Sequence, residues 1–249
     1  MLDIDERSGV AVVRLCHGKV NALDIELLTA ITAAMRQIEP AAAIVLTGTE
    51  PAFSAGVDLH RIVGGGPSYV REFLGALSGT FLAVFDRPGP TVAAINGHAI
   101  AGGCVLAAAC DLRLMSGGRI GLAELRVGVP FPAAAMEIMR HLVGVDLGGL
   151  VTGAALFDPP QALSRKLVDQ VVFPDDLLER AIGEARRLSQ IPAEAFALTK
   201  RQLHRPVHER IAACAAEDDE VARIWSSAST LAMIAHYLDS LRTPAPSVP

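Results

Sequence analysis

The sequence predicts an α/β layered core followed by a mostly helical region. In the first half, short β-rich runs alternate with helical patterns in the order β, α, β, α, β, α. The second half reads as helical, with one further strand. A hydrophobic share of 51% over 249 residues suffices for one large domain, or a core with a smaller appendage, without staples.

The elements follow in order. Val10 to Leu15 is a strand, and Asn21 is placed to cap a helix in which Leu27, Leu28, Ile31, Met35 and Ile38 share one face until Pro40 stops it. Ala43 to Thr47 is a second strand. The loop PAFSAGVDLHRIVGGGP leads to a helix over Ser68 to Phe85 and a strand over Thr91 to Ile95. In IAGGCVLAAACD, two glycines open a buried helix on bare backbone. The stretch from Thr91 to Cys110 is apolar, but Asn96, His98, three glycines and many alanines make it a poor membrane span and a good buried core. Leu167 to Val172 is the last strand. Val221, Ile224, Ala228, Leu231, Ala235 and Leu238 recur three and four apart, a narrow apolar seam on one long helix. That seam fits packing onto the same chain and packing across a subunit interface alike. The tail TPAPSVP after Arg242 is predicted to be disordered.

Charge and cysteines exclude several classes. A formal charge of −5 argues against a general nucleic-acid binder, so any anionic ligand must be met locally. Cys16, Cys104, Cys110 and Cys214 are scattered and form no C-x-x-C pair, and no basic-then-apolar leader opens the chain; core thiols in a cytoplasmic, reduced protein are expected. No cluster of His, Cys and carboxylates has metal-ligand spacing, so no metal is expected.

The chemistry gathers at two turns. At Gly102 and Gly103 a helix start offers unpaired N–H groups that a ligand atom can approach closely. Ser54-Ala55-Gly56 in FSAGVDL follows a strand and points a second N–H at the same place if the two strands are neighbours. Two such donors form an oxyanion hole; either turn alone reads equally as a bend or tight packing.

FSAGVDL, INGHAIAGGCVLAAACDLRL, IGLAELRVGVP, ALSRKLVDQVV and ALTKRQL run in one register from about Val10 to Leu241. Together they resemble the enoyl-CoA hydratase/isomerase superfamily, the crotonases, with a pattern similar to the 3,2-enoyl-CoA isomerases. The resemblance implies a ClpP/crotonase-like spiral of ββα units over residues 1–190, a helical trimerisation region over 191–242 and a tail over 243–249, assembled as homotrimers or hexamers. It also implies an acyl-CoA thioester substrate, with coenzyme A as part of the substrate and no separate cofactor. The thioester oxygen would sit between the N–H groups of Ala55 and Gly102, and Ser54, Gly56, Val57 and Asp58 would line the CoA portion. Lys19 in HGKVNAL is a candidate phosphate contact beside its reading as a solvated lysine.

Hydratases of the superfamily carry a glutamate at the position of Val105, three residues after Gly102. This chain has an alkyl group there. The other family carboxylate falls on Glu124, surrounded by apolar residues, where burial raises a carboxyl's pKa. One base suffices to shift a double bond, taking the proton at C2 and returning it at C4, whereas hydration uses a pair. Isomerisation of 3-enoyl-CoA to 2-enoyl-CoA is therefore expected ahead of hydration. In related isomerases the residue before the glutamate is often asparagine; here it is Ala123.

Other residues receive structural readings or secondary roles. His98 and Asp111 are expected to be structural, Gly64 to Pro67 to be a flexible segment shaping the acyl pocket, and TKRQLHRPVHER a solvated helix face, with Lys200 a lesser candidate for a CoA phosphate. The alternatives are a hydratase recruiting another carboxylate such as Glu137, other thioester chemistry such as hydrolysis or decarboxylation, or a catalytically weak acyl-CoA-binding scaffold. A spiral-fold serine protease is disfavoured because no serine follows a glycine pair and no histidine is placed.

Overall fold

The computed structural model describes residues 1–242, so the tail predicted to be disordered lies outside the described residues. The chain opens with a hairpin of β1 (Leu2–Arg7) and β2 (Val10–Leu15), joined through Ser8 and Gly9. Both turn residues take positive φ, 54° and 76°, the conformation that matches the twist of a two-residue hairpin. Then α1 (Ile25–Gln37) packs its buried Leu27, Leu28, Ile31, Ala34 and Met35 on the sheet.

A ββα unit follows and recurs. β3 (Ala43–Thr47), β4 (Ala52–Ser54) and α2 (Leu59–Phe85) form one turn; β5 (Thr91–Ile95), β6 (His98–Ile100) and α3 (Gly102–Ala108) the next. β7 (Leu112–Met115) and β8 (Ile120–Gly121) lead through a single 3-10 turn to α4 (Ala133–Val143). The longer strands, with β9 (Gln170–Val171), build a sheet ordered β1-β2-β3-β5-β7-β9, parallel except for β1. The short strands build a second parallel sheet, β4-β6-β8. This is the spiral that the sequence motifs imply.

The two-residue period of the strands decides the layers. Val10, Val12, Val45, Val92, Ala94 and Leu114 face α7 (Leu177–Ser189) through its Leu177, Ala181, Ile182 and Ala185. Val13, Leu46, Ala93 and Ile95 face the larger core with α1, α2 and α3. Between α4 and α7 lie α5 (Leu147–Gly153) and α6 (Pro159–Ser164), and the chain closes with α8 (Ala193–Ala213), α9 (Ala215–Trp225) and α10 (Ala228–Arg242).

Several expectations need correction. Asn21 does not cap α1: it is buried at φ 50° and donates from Nδ2 to the carbonyls of Ala52 and Phe53, while Asp24 Oδ1 accepts from Leu27 N at 2.8 Å as the cap. The GGGP segment is part of α2, which crosses it with Gly66 alone outside helical geometry (φ 66°, ψ −165°); Pro67 then starts the second helical segment, where its missing N–H is harmless. The seam is not on one helix, because the chain breaks at Ser226 and Ser227. Val221, Leu231 and Leu238 pack against this chain's own core. The face predicted to be solvated on α8 buries Lys200, His204 and Val207, and the strand predicted over Leu167 to Val172 shortens to two residues. Among the cysteines, Cys104 and Cys110 are buried, but Cys16 is exposed.

Candidate active site

β6 ends at Ile100, and Ala101 at φ 53° and ψ −121° swings the chain into α3 without a capping side chain. The Ala101 carbonyl accepts from Cys104 N and Val105 N, but the Gly102 N–H finds no acceptor among the described residues. The bare start of this helix is a packing requirement as well. A Cβ on Gly103 would lie 2.3 Å from the Ser54 carbonyl oxygen, so the first turn of α3 rests directly on the end of β4.

The turn after β4 is pinned from several sides. Ser54 is buried, its hydroxyl donating to the Asn21 carbonyl at 2.8 Å and accepting from Gly56 N at 3.2 Å. Leu23 N donates to the Gly56 carbonyl and Asp58 N to the Leu23 carbonyl. Ala55 N donates to the Val20 carbonyl at 3.0 Å, which corrects its expected role: that N–H is already engaged. The open donor in the turn is the N–H of Val57, which has no acceptor among the described residues. Gly56, at φ 87°, lets the two turns meet; a Cβ there would lie 2.6 Å from the Ile100 carbonyl oxygen and 3.4 Å from Gly102 N.

Glu124 approaches from the third repeat. It opens the 3-10 turn Glu124–Val127, closed by Gly128 in the left-handed region at φ 72°. The side chain is 8% exposed and its Oε2 has no partner among the described residues. Burial pushes the carboxyl up to about 8, against the pull of the backbone N–H groups of Glu124 and Ala123.

A cavity of about 420 Å³ joins these parts, with Glu124, Ala55, Val57, Asp58 and Ala101 on its walls. Asp58 also caps α2, its Oδ1 accepting from Arg61 N at 3.1 Å. The far walls come from Val127, Val129, Trp225, Tyr237, Leu238 and Leu241. Of these the sequence marked Leu238, as part of a seam, and Val127 and Val129, inside IGLAELRVGVP; Trp225, between Ile224 and the break before α10, carried no local signal of a cavity.

The other candidates lie elsewhere. Val105 is 1% exposed and sits in the apolar core. Lys19 is exposed and does not line the cavity, although its neighbour Val20 does. Lys200 is buried against Asp111 at 2.9 Å, which removes it as a CoA contact; Asp111 also accepts from Thr91 N and Oγ1, tying β5 to the end of α3 as expected. His98 Nδ1 accepts from Arg119 N, a structural contact. Glu137 is held by Arg140 and Arg210, and neither it nor the Gly64 to Pro67 segment lines the cavity, which removes the pocket-shaping role expected of that segment.

Residues 5–239 match the family described as enoyl-CoA hydratase/isomerase. The chain is 30% identical to the human mitochondrial enoyl-CoA delta isomerase 1 over 220 residues, 85% of this chain and 72% of that protein. It is also 30% identical to a protein of Rhizobium meliloti (strain 1021) named a probable enoyl-CoA hydratase, over 78% of this chain and 76% of that protein. The crystal structure of human mitochondrial delta3-delta2-enoyl-CoA isomerase superposes with a TM-score of 0.91 at 26% identity, covering 97% of this chain and 98% of that one.

Proposed function

The chain belongs to the enoyl-CoA hydratase/isomerase family, and from that premise we propose that it shifts the double bond of a 3-enoyl-CoA to give the 2-enoyl-CoA. One observation carries the choice. Among the described residues that line the cavity, the two carboxylates are Glu124 and Asp58, and Asp58 is engaged as the cap of α2. Glu124 is the single carboxylate left to act as a base, and Val105 is alkyl where the family's hydratases hold a second one. Glu137 cannot supply it, since two arginines hold it outside the cavity.

The chemistry follows from the geometry. Ionised Glu124 takes a proton from C2 of the 3-enoyl thioester, and the C2–H electron pair flows into the carbonyl to form a dienolate. The N–H groups of Gly102 and Val57, in place of Ala55, stabilise the thioester oxygen; loss of one such donor elsewhere costs roughly 3 to 4 kcal/mol. The same carboxyl returns the proton at C4, leaving the double bond between C2 and C3. Its raised pKa places proton uptake and release near neutrality.

Gly56 and Asp58 would flank the CoA portion, with Lys19 nearest the phosphates; the buried Ser54 supports this turn from behind. Coenzyme A is part of the substrate, and no separate cofactor is called for. A homotrimer or hexamer is supported by Leu198 and Leu203, apolar and exposed on α8. A reducing, cytoplasmic setting is supported by the four free cysteines.

The test monitors 3-enoyl-CoA and 2-enoyl-CoA by ultraviolet absorbance and mass spectrometry, beside Glu124→Gln. Conversion of the 3-enoyl compound without mass change, lost in the variant, is the expected result. A gain of one water on the 2-enoyl compound overturns the proposal in favour of a hydratase. Binding without reaction overturns it in favour of a scaffold.

A further inference from the structure

Met233 joins α10 to the turn that carries Glu124. A Cβ on Gly128 would lie 2.8 Å from Met233 Sδ and 3.4 Å from its Cε, so the thioether fills the space that the bare Cα leaves. Gly128 in turn closes the 3-10 turn Glu124–Val127. On α10 itself, Ile234 is fully buried, and Tyr237, one helical turn beyond Met233, lines the cavity of Glu124. Leu231, Tyr237 and Leu238 hold the helix on this chain's own core. Met233 is outside the cavity wall and acts on it through Gly128.

Two features make this contact chemically vulnerable. Met233 is 48% exposed, whereas Met35, Met115 and Met139 are buried. A thioether has no proton to lose before it reacts, so access to the oxidant separates these four side chains. The backbone beneath Met233 also has little to offer an added oxygen. Gly128 N donates to the Leu125 carbonyl and Val129 N to the Glu124 carbonyl, so neither is free to meet it. An oxygen on Sδ must therefore turn outward to water.

We propose that Met233 is a site of oxidation by peroxide, and that its sulfoxide lifts off Gly128 and loosens the turn that holds Glu124. The sulfur gives a lone pair to one oxygen of hydrogen peroxide and the O–O bond breaks. The second oxygen leaves as water after proton transfer, so the sulfur is oxidised by two electrons and the peroxide is reduced. A flexible apolar side chain has become a polar one, and the contact that suited the thioether is lost. Water then gains access to Glu124, whose carboxyl burial holds up. As control of the candidate active site, the inference rests on Glu124 being its base.

The test treats the full chain, carrying carbon-13 in its glutamate carboxyls, with hydrogen peroxide and then with dithiothreitol, which reverses oxidation at the exposed Cys16. Peptide mass mapping locates the added oxygen, and Glu124→Gln identifies the Glu124 resonance. Oxidation is expected to lower the Glu124 midpoint by about one unit, from about 8, as water reaches the carboxyl. At pH 9, where the base is ionised in both forms, turnover of 3-enoyl-CoA is expected to fall about tenfold. Methionine sulfoxide reductase is expected to restore both. Met233→Leu keeps the apolar volume, and its own turnover is expected to change less than about twofold on the same treatment. Met233→Gln, polar without peroxide, is expected to show the lowered midpoint untreated. A sulfoxide at Met233 with the midpoint unmoved overturns the proposal, as does an equal loss in Met233→Leu or oxidation that spares Met233. A change in assembly mass with the midpoint unmoved overturns it too, placing the thioether in a subunit contact. Untreated protein that leaves 3-enoyl-CoA unchanged refutes Glu124 as the base, and the carboxyl titration still decides the oxidation site.

Discussion

The backbone of Gly56 lies directly against that of Gly102: a Cβ on Gly56 would sit 3.4 Å from the Gly102 nitrogen and 2.6 Å from the Ile100 carbonyl oxygen. The two open N–H groups, on Val57 and Gly102, are therefore positioned by one bare Cα. Gly56→Ala meets both that clash and a φ of 87°, which costs about 1–2 kcal/mol in a residue with a Cβ. Separating the donors by a fraction of an ångström is expected to lower turnover about 100-fold. Thermal melts and kcat measured together check this; a variant that loses stability and keeps full turnover removes the two N–H groups from the mechanism.

The pH dependence of Glu124 has a definite sign in activity and in stability. The base form must be ionised, so kcat/KM is expected to rise with pH through a midpoint near 8. For stability, the folded-state pKa stands above the ordinary value of 4.5, so the folded chain binds more protons between those two values. The contribution of this group is full below pH 4.5 and is lost as pH rises through about 8. Glu124→Gln, neutral throughout, is expected to gain on the parent across that window by an amount on the order of a few kcal/mol. Denaturant melts at pH 5, 7 and 9 read the difference, and a constant gap would show that Glu124 is not held in an apolar site.

Lys200 and Asp111 join α8 to the junction of α3, β5 and β7. The Lys200 side chain is 6% exposed and that of Asp111 18%, with Thr91 supplying two further hydrogen bonds to Asp111. Lys200→Met strands a largely buried carboxylate and is expected to lose about 3 kcal/mol of stability. Adding Asp111→Asn should restore part of that loss, because the amide carries no charge to desolvate. A double variant as unstable as the sum of the singles would mean that the pair is not coupled.

Much of the layered core was legible because its strands are locally consistent. Val10 to Leu15, Ala43 to Thr47 and Thr91 to Ile95 are β-rich runs bounded by turn residues, and each forms a strand of the main sheet. β4, β6 and β8 are two or three residues long, too short for periodicity to register. β1 reads LDIDER, whose charges suit an edge strand and hide it from a search for apolar runs. GGGP punctuates like a loop, yet α2 continues across it because only Gly66 leaves helical geometry. The break at Ser226 and Ser227 is written in residues that helices tolerate.

The site divides in the same way. Glu124 and Gly102 could be placed from motif register. Which N–H of FSAGVDL is free could not, because it depends on where the Val20 carbonyl and Leu23 land across the chain, a long-range pairing with no local signature. Most of the cavity's outer wall is likewise tertiary, with Trp225, Tyr237, Leu238 and Leu241 brought over from α9 and α10.

That outer wall yields the last expectation. Trp225 is 2% exposed, lies 6.2 Å from the ring of Phe73, and donates its indole N–H to the Pro130 carbonyl at 2.9 Å. It is thereby fixed in the cavity wall that also holds Glu124. Trp225→Phe keeps an aromatic ring against Phe73 but removes the donor, leaving the Pro130 carbonyl unpaired at a cost of about 1 kcal/mol. It also opens space at the apolar end of the cavity, where a methylene is worth about 1–3 kcal/mol in discrimination. The ratio of kcat/KM for long over short 3-enoyl-CoA substrates is therefore expected to rise about tenfold, while the midpoint of the pH profile stays with Glu124. If the ratio stays constant and both substrates slow equally, Trp225 braces α9 rather than bounding the acyl chain.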